Sequence, residues 1–258
     1  MIAPIYIPTC GRSATATTMR LLDGRPYTLV VEVQDAAAYN AAYPEAALLV
    51  LPKSRQGVGY VRREIQLASE RRGEAWHWQI DDNIKRFMTR RDGKRYRETA
   101  EVVLTSIEAE AFRYTNVGMA APAHLVYAFA TKYPISVNRQ ANCCMLIRNG
   151  TDRYFRSGVG EDTDFNLQLL TSGWCTLVFN RLLIEKIKTG KLRGGCTDRD
   201  YLNNGRIEMA KGTMRLWPGC FKLNPKNPGW LAPSTVWRTF RQRLKLTDGE
   251  ASIFSLEG

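Results

Sequence analysis

The chain has 258 residues and a formal net charge of +12, with 44% apolar and 24% charged residues. That is the balance of an ordinary globular protein, long enough for one substantial core or for one core with a small annex. No run of 18 apolar residues occurs, which speaks against a membrane span. Six scattered cysteines without a Cys-x-x-Cys pair, beside only two histidines, speak against a zinc site and for reduced thiols.

The N-terminal Met1-Ile2-Ala3-Pro4-Ile5 enters an apolar run with no basic leader, so no signal peptide is expected and a cytoplasmic setting is. Ile2 to Ile7 reads as a buried strand ended by Pro8-Thr9-Cys10-Gly11, and Ser13 to Leu22 as a helix. Tyr27 to Val33 is a second strand, after which Asp35 is placed to cap a short Ala-rich helix. Ala46 to Leu51 is a third strand. Tyr60 to Arg72 carries Val61, Ile65 and Ala68 at helical spacing, and Trp76 to Ile80 is a fourth strand. Strands alternating with helices through short loops predict a parallel arrangement with helices on both faces, hence an α/β class. Further on, Val103, Ile107 and Ala111 mark a helix, Leu125 to Ala130 and Cys143 to Arg148 strands, Asp162 to Thr171 a helix, and Trp174 to Phe179 a strand. Residues 1–190 form the expected core. Residues 191–258, basic, Gly-rich and aromatic, form an expected lid or acceptor-binding annex of the same domain.

In open α/β sheets ligands bind beyond the carboxyl ends of the strands. Thr9 to Arg12, Gln34-Asp35 and Asp81-Asp82-Asn83 are therefore expected to share one cleft. Adjacent carboxylates at a strand end are costly unless a cation or strong hydrogen bonds neutralise them. Mg²⁺ or Mn²⁺ would suit, since both take carboxylates, water and substrate phosphates; a simple turn is the bland alternative. Gly160-Glu161-Asp162-Thr163-Asp164 opens a helix, where the dipole alone accommodates carboxylates; the sharper reading makes one of them a general base. Gly57-Val58-Gly59-Tyr60-Val61-Arg62-Arg63 stands between the third strand and its helix, where backbone amides and two arginines suit a diphosphate.

Taken in order, these pieces resemble the glycosyltransferase A fold, family 2-like enzymes in particular. Pro8-Thr9-Cys10-Gly11-Arg12 looks like the family's uridine loop, Gly59 to Glu64 like its Ala-Arg-Asn helix, Ile80-Asp81-Asp82-Asn83 like its Asp-x-Asp metal motif, and Glu161-Asp162 like its Glu-Asp motif. Gln79 to Asn83 and Lys191-Leu192-Arg193-Gly194-Gly195-Cys196 resemble, more closely, the phage-encoded TET-associated glycosyltransferases, which attach sugar to 5-hydroxymethylpyrimidines in DNA. The resemblance implies a mixed sheet flanked by helices and a UDP-sugar donor. It implies a nucleoside pocket of Pro8, Thr9, Arg12 and Glu32 or Gln34, and diphosphate contacts from Arg62 or Arg63, Asp81, Lys191 and Arg193. Mn²⁺ or Mg²⁺ would sit at Asp81, Asp82 and Asn83, and Asp162 would be the base beside Glu161. Asn83 departs from the usual Asp, and no histidine follows His124 to supply the late metal ligand of some A-fold enzymes.

Basic residues concentrate between Lys53 and Arg97 and again from Lys186 onward, as a polyanionic partner would require. Lys222, Lys226, Arg238 and Arg241 are the candidate DNA contacts, and Trp217, Trp230 or Trp237 could stack on a base that has left the duplex. The expected activity is transfer of a hexose, glucose first, from a UDP-sugar to 5-hydroxymethylcytosine in DNA, in the cytoplasm of a phage-infected host. A polysaccharide, lipid or protein acceptor is one rival. A non-catalytic nucleic-acid-binding protein is the other, marked by tight DNA binding without sugar turnover.

Overall fold

The computed structural model describes residues 2–22, 24–126, 133–188, 190–198, 201 and 203–247. Four strands, β1 (Ile5–Pro8), β2 (Tyr27–Glu32), β3 (Ala47–Leu51) and β4 (Trp76–Ile80), run parallel in the order β3-β2-β1-β4. Helices α1 (Ala36–Ala42) and α2 (Val58–Arg71) lie between them in sequence. The hairpin β5 (Ile84–Arg91) and β6 (Lys94–Glu98) follows, then α3 (Ala100–Ala111), β7 (Val117–His124), β8 (Ile135–Val137) and β9 (Cys144–Arg148). Next come α4 (Glu161–Thr171), β10 (Cys175–Lys186), α5 (Gly205–Leu216) and a small ribbon of β11 (Leu223–Asn224) and β12 (Asn227–Leu231). The main sheet continues β4-β9-β7-β10-β5-β6, with β8 beside β10. β9, β5, β6 and β8 pair antiparallel, so the parallel first half belongs to a mixed sheet.

Alternation along the strands sets the layers. Ile5, Ile7, Leu29, Val31, Trp76, Trp78 and Ile80 point to one face and pack with Val103, Leu104, Ile107 and Ala111 of α3. Tyr6 and Val30, between them in sequence, point the other way onto Ile65 of α2. Farther along that face, Met119, Met145 and Ile147 receive Phe165 and Leu169 of α4. β4 is buried along its whole length, so its His77 is held neutral, with a pKa pulled down to about 3 by burial.

Several local expectations change. Ser13 to Leu22 makes only a 3₁₀ turn at Thr18–Leu21. The amides of Thr17 and Thr18 bond the carbonyl of Asp82 at 2.9 and 3.2 Å, and the Thr17 hydroxyl donates to the carbonyl of Ile84 at 2.6 Å. Threonines with external partners have little to gain from a helix. Asp35 does not cap α1 with its side chain; its Oδ2 accepts instead from the Gly11 amide at 3.1 Å. β7 ends at His124, and residues 127–130 of the expected strand lie outside the described residues. The β5–β6 hairpin was legible and overlooked: Asp92 and Gly93 sit at φ 50° and 75°, the left-handed pair that a tight two-residue hairpin turn demands.

One buried group ties this architecture together. Glu108 on α3 is 2% exposed; its carboxylate pairs with buried Arg25 and accepts from the Trp78 indole at 2.6 Å and the Ala3 amide at 3.3 Å. Replacing Glu108 with Ala leaves a guanidinium and an indole N–H buried without it. The variant is expected to lose about 3–5 kcal/mol, read as a lower urea midpoint at unchanged slope.

Candidate active site

The carboxyl ends of β1, β2 and β4 open on a cavity of about 1840 Å³. Ligand pockets for one small molecule run to about 1,000 Å³, so there is room for two reactants. At one end it is lined by Pro8, Thr9, Arg12 and Glu32. Glu32 is 3% exposed; its Oε1 accepts from the Arg55 amide at 2.8 Å, and Gln34 donates to its other oxygen. Gln34 itself is exposed, outside the cavity wall, and braces Glu32 rather than facing a ligand. The Tyr39 hydroxyl accepts from the Arg12 amide at 2.9 Å and bonds the Thr9 hydroxyl at 2.6 Å, which donates to Asp82 Oδ2 at 2.8 Å. Arg12 is 8% exposed. It binds Asp82 Oδ1 at 2.7 Å and the carbonyls of Arg193 and Gly194 at 2.9 and 2.7 Å. Its guanidinium therefore locks the 193–195 strap onto the β1 loop. A Cβ on Gly194 would come within 2.8 Å of the Gly11 carbonyl, so only glycine allows this approach. Gly195 and Leu192 line the cavity, whereas the side chains of Lys191 and Arg193 are exposed and do not.

Asp81-Asp82-Asn83 stands at the middle of the cavity wall. Asp81 Oδ1 accepts from Arg62 at 2.7 Å and its Oδ2 from Lys186 at 2.9 Å. Burial alone would raise its carboxyl, but the Lys186 ammonium and then the Arg62 guanidinium outweigh burial and hold it well below the usual range. For Asp82, burial pushes the carboxyl upward, against Arg12 and Thr9. All four carboxylate oxygens of the pair are thus taken, two by arginines, one by a lysine and one by a hydroxyl. Asn83 Oδ1 is the remaining oxygen of the triplet, buried and without a hydrogen-bond partner. One neutral oxygen does not make a site for Mg²⁺ or Mn²⁺, which need carboxylates, and an added dication would sit against Arg62 and Lys186. The expected metal centre does not fit the donor set present. Among the described residues no cluster of three or more His, Cys, Asp or Glu side chains is gathered for a metal.

Glu161 and Asp162 begin α4 and line the same cavity. Asp162 Oδ1 accepts from the Thr163 amide at 2.7 Å, and Glu161 Oε1 lies 3.3 Å from Arg62 Nε. Burial raises both carboxyls, and the neighbouring Asp162 charge adds to the rise at Glu161. Asp164, two residues on, is fully buried and serves structure. It pairs with Arg156 and accepts from Gln168 at 2.8 Å and the Trp217 indole at 2.9 Å.

The other end of the cavity combines aromatic and basic groups. The Arg206 guanidinium carbon lies 3.4 Å from the ring centre of Trp230 and 4.7 Å from that of Tyr201, a cation between two rings. Trp237 packs at the cavity edge against Phe221, their centres 6.2 Å apart. Trp217 lies elsewhere, in a smaller hollow with Arg63, Arg153 and Arg156, so neither it nor Arg63 faces the cavity. Arg139 and Arg238 line the rim; Arg238 and then Arg241 lower the pKa of Arg139, next to the larger effect of its burial. Lys222, Lys226 and Arg241 are exposed outside the lining. Sequence reasoning missed Lys186, Arg139, Tyr39, Tyr201 and Arg206. Lys186 alone had a signal, as the second residue of the Glu185-Lys186 pair that follows the apolar run Leu182-Leu183-Ile184. No described helix is long and apolar enough to cross a membrane.

No curated protein matches the chain. Among solved structures, a crystal structure of S. aureus TarS residues 1–349 is 13% identical with a TM-score of 0.49, over 74% of this chain and 61% of that one. S. aureus TarS 1–349 in complex with UDP is 12% identical with a TM-score of 0.48, over 72% and 60%. A UDP-glucose pyrophosphorylase complexed with UDP-glucose is 8% identical with a TM-score of 0.39, over 72% and 92%. The chain spans about three fifths of the length of the first two. Residues 3–195, well over half of the sequence, match the family model described as TET-Associated Glycosyltransferase, and the chain belongs to that family.

Proposed function

We propose that this protein transfers a hexose, glucose in the first place, from a UDP-sugar to the hydroxyl of 5-hydroxymethylcytosine in DNA. The observation that carries the reading is one cavity lined by the polar groups of Thr9, Arg12 and Glu32, a carboxylate pair of raised pKa and a cation–aromatic platform, in a chain of this family. Pro8, Thr9 and Glu32 would receive the nucleoside, and the Asp81 region the diphosphate. A target base turned out of the duplex would stack at Tyr201, Arg206 and Trp230, with its hydroxymethyl group at Asp162. Arg139, Arg238 and Arg241 would hold the flanking phosphates.

In the reaction the acceptor oxygen attacks the anomeric carbon, the bond to the β-phosphate oxygen breaks, UDP leaves, and the hydroxyl proton passes to Asp162. A raised pKa makes Asp162 a stronger base than an ordinary aspartate. Because both carboxylates of the Asp81-Asp82 pair are already engaged, no step is routed through a metal ion.

Incubation with UDP-glucose and duplex DNA containing 5-hydroxymethylcytosine, followed by nucleoside mass spectrometry, is expected to show a hexose increment on the modified base alone. Asp162→Asn should lower the rate at least about 100-fold. If unmodified cytosine gains the hexose, or the Asn variant keeps full activity, the reading is wrong. The pH profile offers a second check. The base works deprotonated and its folded pKa is raised, so the rate should fall with decreasing pH at values above about 4, where an ordinary aspartate titrates. A third measurement concerns the rim. Arg238→Ala should weaken DNA binding and flatten its log–log salt dependence by about one unit, as loss of one phosphate contact does. An unchanged slope would take Arg238 out of the interface.

A further inference from the structure

The cation pair that grips Asp81 has more to offer than charge balance. Arg62 is 4% exposed and lines the cavity, yet its Nη1 has no hydrogen-bond partner. A buried guanidinium nitrogen without an acceptor is costly, and an anion in the cavity would satisfy it. Lys186 stands opposite. Its Nζ donates to Asp81 Oδ2 at 2.9 Å and lies 3.2 Å from Cys143 Sγ, which engages two of the three ammonium protons. Its side chain is 15% exposed and lines the same cavity.

The sheet explains why a lysine is there. Lys186 ends β10 and pairs in register with Ile84, the first residue of β5, while the Ile187 amide bonds the Asn83 carbonyl at 2.9 Å. The two chain segments are stitched at the residues that flank the triplet, so the Lys186 side chain is delivered to Asp81 by backbone pairing. The position is equally telling along the cavity. Hydrogen bonds give the order along the wall: Thr9 joins Asp82, and next to it Asp81 is joined through Arg62 to Glu161, beside Asp162. Resting on the proposed UDP-sugar donor, the diphosphate must pass between Thr9 and Asp162, where Arg62 and Lys186 stand.

We propose that Lys186, together with Arg62, occupies the place of a divalent cation and makes this a metal-independent glycosyltransferase. One carboxylate with two monovalent cations carries a net charge of +1, the same as one carboxylate with one dication. As the bond from the anomeric carbon to the β-phosphate oxygen breaks, one negative charge builds on that phosphate. The Lys186 ammonium and the open Arg62 N–H group stabilise it, and Asp81 holds both cations in position without touching the phosphate itself. The notable departures in the sequence fit one scheme. Asn83 replaces the third acid and no late histidine is present, because no metal has to be held.

The test is UDP binding measured by titration calorimetry on the full chain, once in EDTA and once with 1 mM Mn²⁺, which needs neither acceptor nor variant. Equal affinity within about twofold in the two buffers is the expected result. Lys186→Met should then weaken UDP binding about 100-fold in EDTA, and Lys186→Arg, which keeps the charge, by less than tenfold. Thermal unfolding of the Met variant near the parent's midpoint would assign its loss to the site. Binding seen only with Mn²⁺, or tightened more than tenfold by it, overturns the metal-free assignment and leaves the UDP-sugar reading standing. Absence of UDP binding in both buffers overturns the donor reading and this assignment with it.

Discussion

Asp81 is the point on which the cleft depends. Its two oxygens hold Arg62 from α2 and Lys186 from the end of β10, while its own backbone closes β4. Buried charges in a medium of low dielectric are tolerated only when paired, and removing one partner costs more than the pair contributes. Arg62 can be 4% exposed because Asp81 and Glu161 share it. Through that shared guanidinium, a residue at the end of a strand sets the surroundings of the carboxylates that begin α4. Asp81, Arg62, Lys186 and the Glu161-Asp162 pair are therefore one electrostatic unit.

Four carboxylates in and beside that unit are sorted into two chemistries by their neighbours. Asp81 is drowned in positive charge and stays ionised, and Asp82 is spent on Arg12 and Thr9. Glu161 and Asp162 are withdrawn from water with less positive charge to offset it, so burial raises both carboxyls, and the Asp162 charge adds to the rise at Glu161. Groups of one type pushed apart in this way mark which one moves protons and which one builds the frame. Asp164 makes the contrast plain: it has the same helix N-terminus within two residues, yet its oxygens face Arg156, Gln168 and the Trp217 indole, away from the cavity.

The parts of this arrangement that could be read in the sequence are those set by local rules. Strand alternation and the rule that ligands meet strand ends located Thr9, Arg12, Asp81 and Asp82 in one cleft before any coordinates. Helical spacing located α2 and α4 to within two residues and marked α3 through Val103, Ile107 and Ala111. What escaped depended on partners distant in sequence. The guanidinium of Arg12, at the cavity wall, is held by carbonyls 181 and 182 residues away. The carboxylate pair at 81–82 was known to need neutralising, and whether a metal or side-chain cations did so turned on Lys186, brought in across 105 residues by the β10–β5 register. The basic aromatic C-terminal third was the hardest, because tryptophan serves core and ligand equally well. Trp217 anchors Asp164, Trp237 leans on Phe221, and Trp230 alone stacks with Arg206 at the cavity.

Two glycines show how the separately coded halves nonetheless act on one point. A Cβ at Gly59, in the first turn of α2, would lie 2.2 Å from the Arg156 carbonyl, and a Cβ at Gly212, in α5, would lie 2.2 Å from the Gly158 carbonyl. Both helices thus press on the five-residue loop that leads into Glu161 and Asp162. The motif Gly57-Val58-Gly59 invites a reading as a phosphate cradle, but Gly59 is there for close packing, and Arg62 one turn later is the group that faces the cavity. In the proposed reaction α2 would border the donor and α5 the acceptor. Since both seat the same loop, a shift of α5 against a bound acceptor would be felt at Asp162 directly, whereas the Asp81 cluster is fastened to the sheet. In the proposed reaction the acceptor contacts could then change without disturbing the charge arrangement around Asp81, which the sheet holds in place.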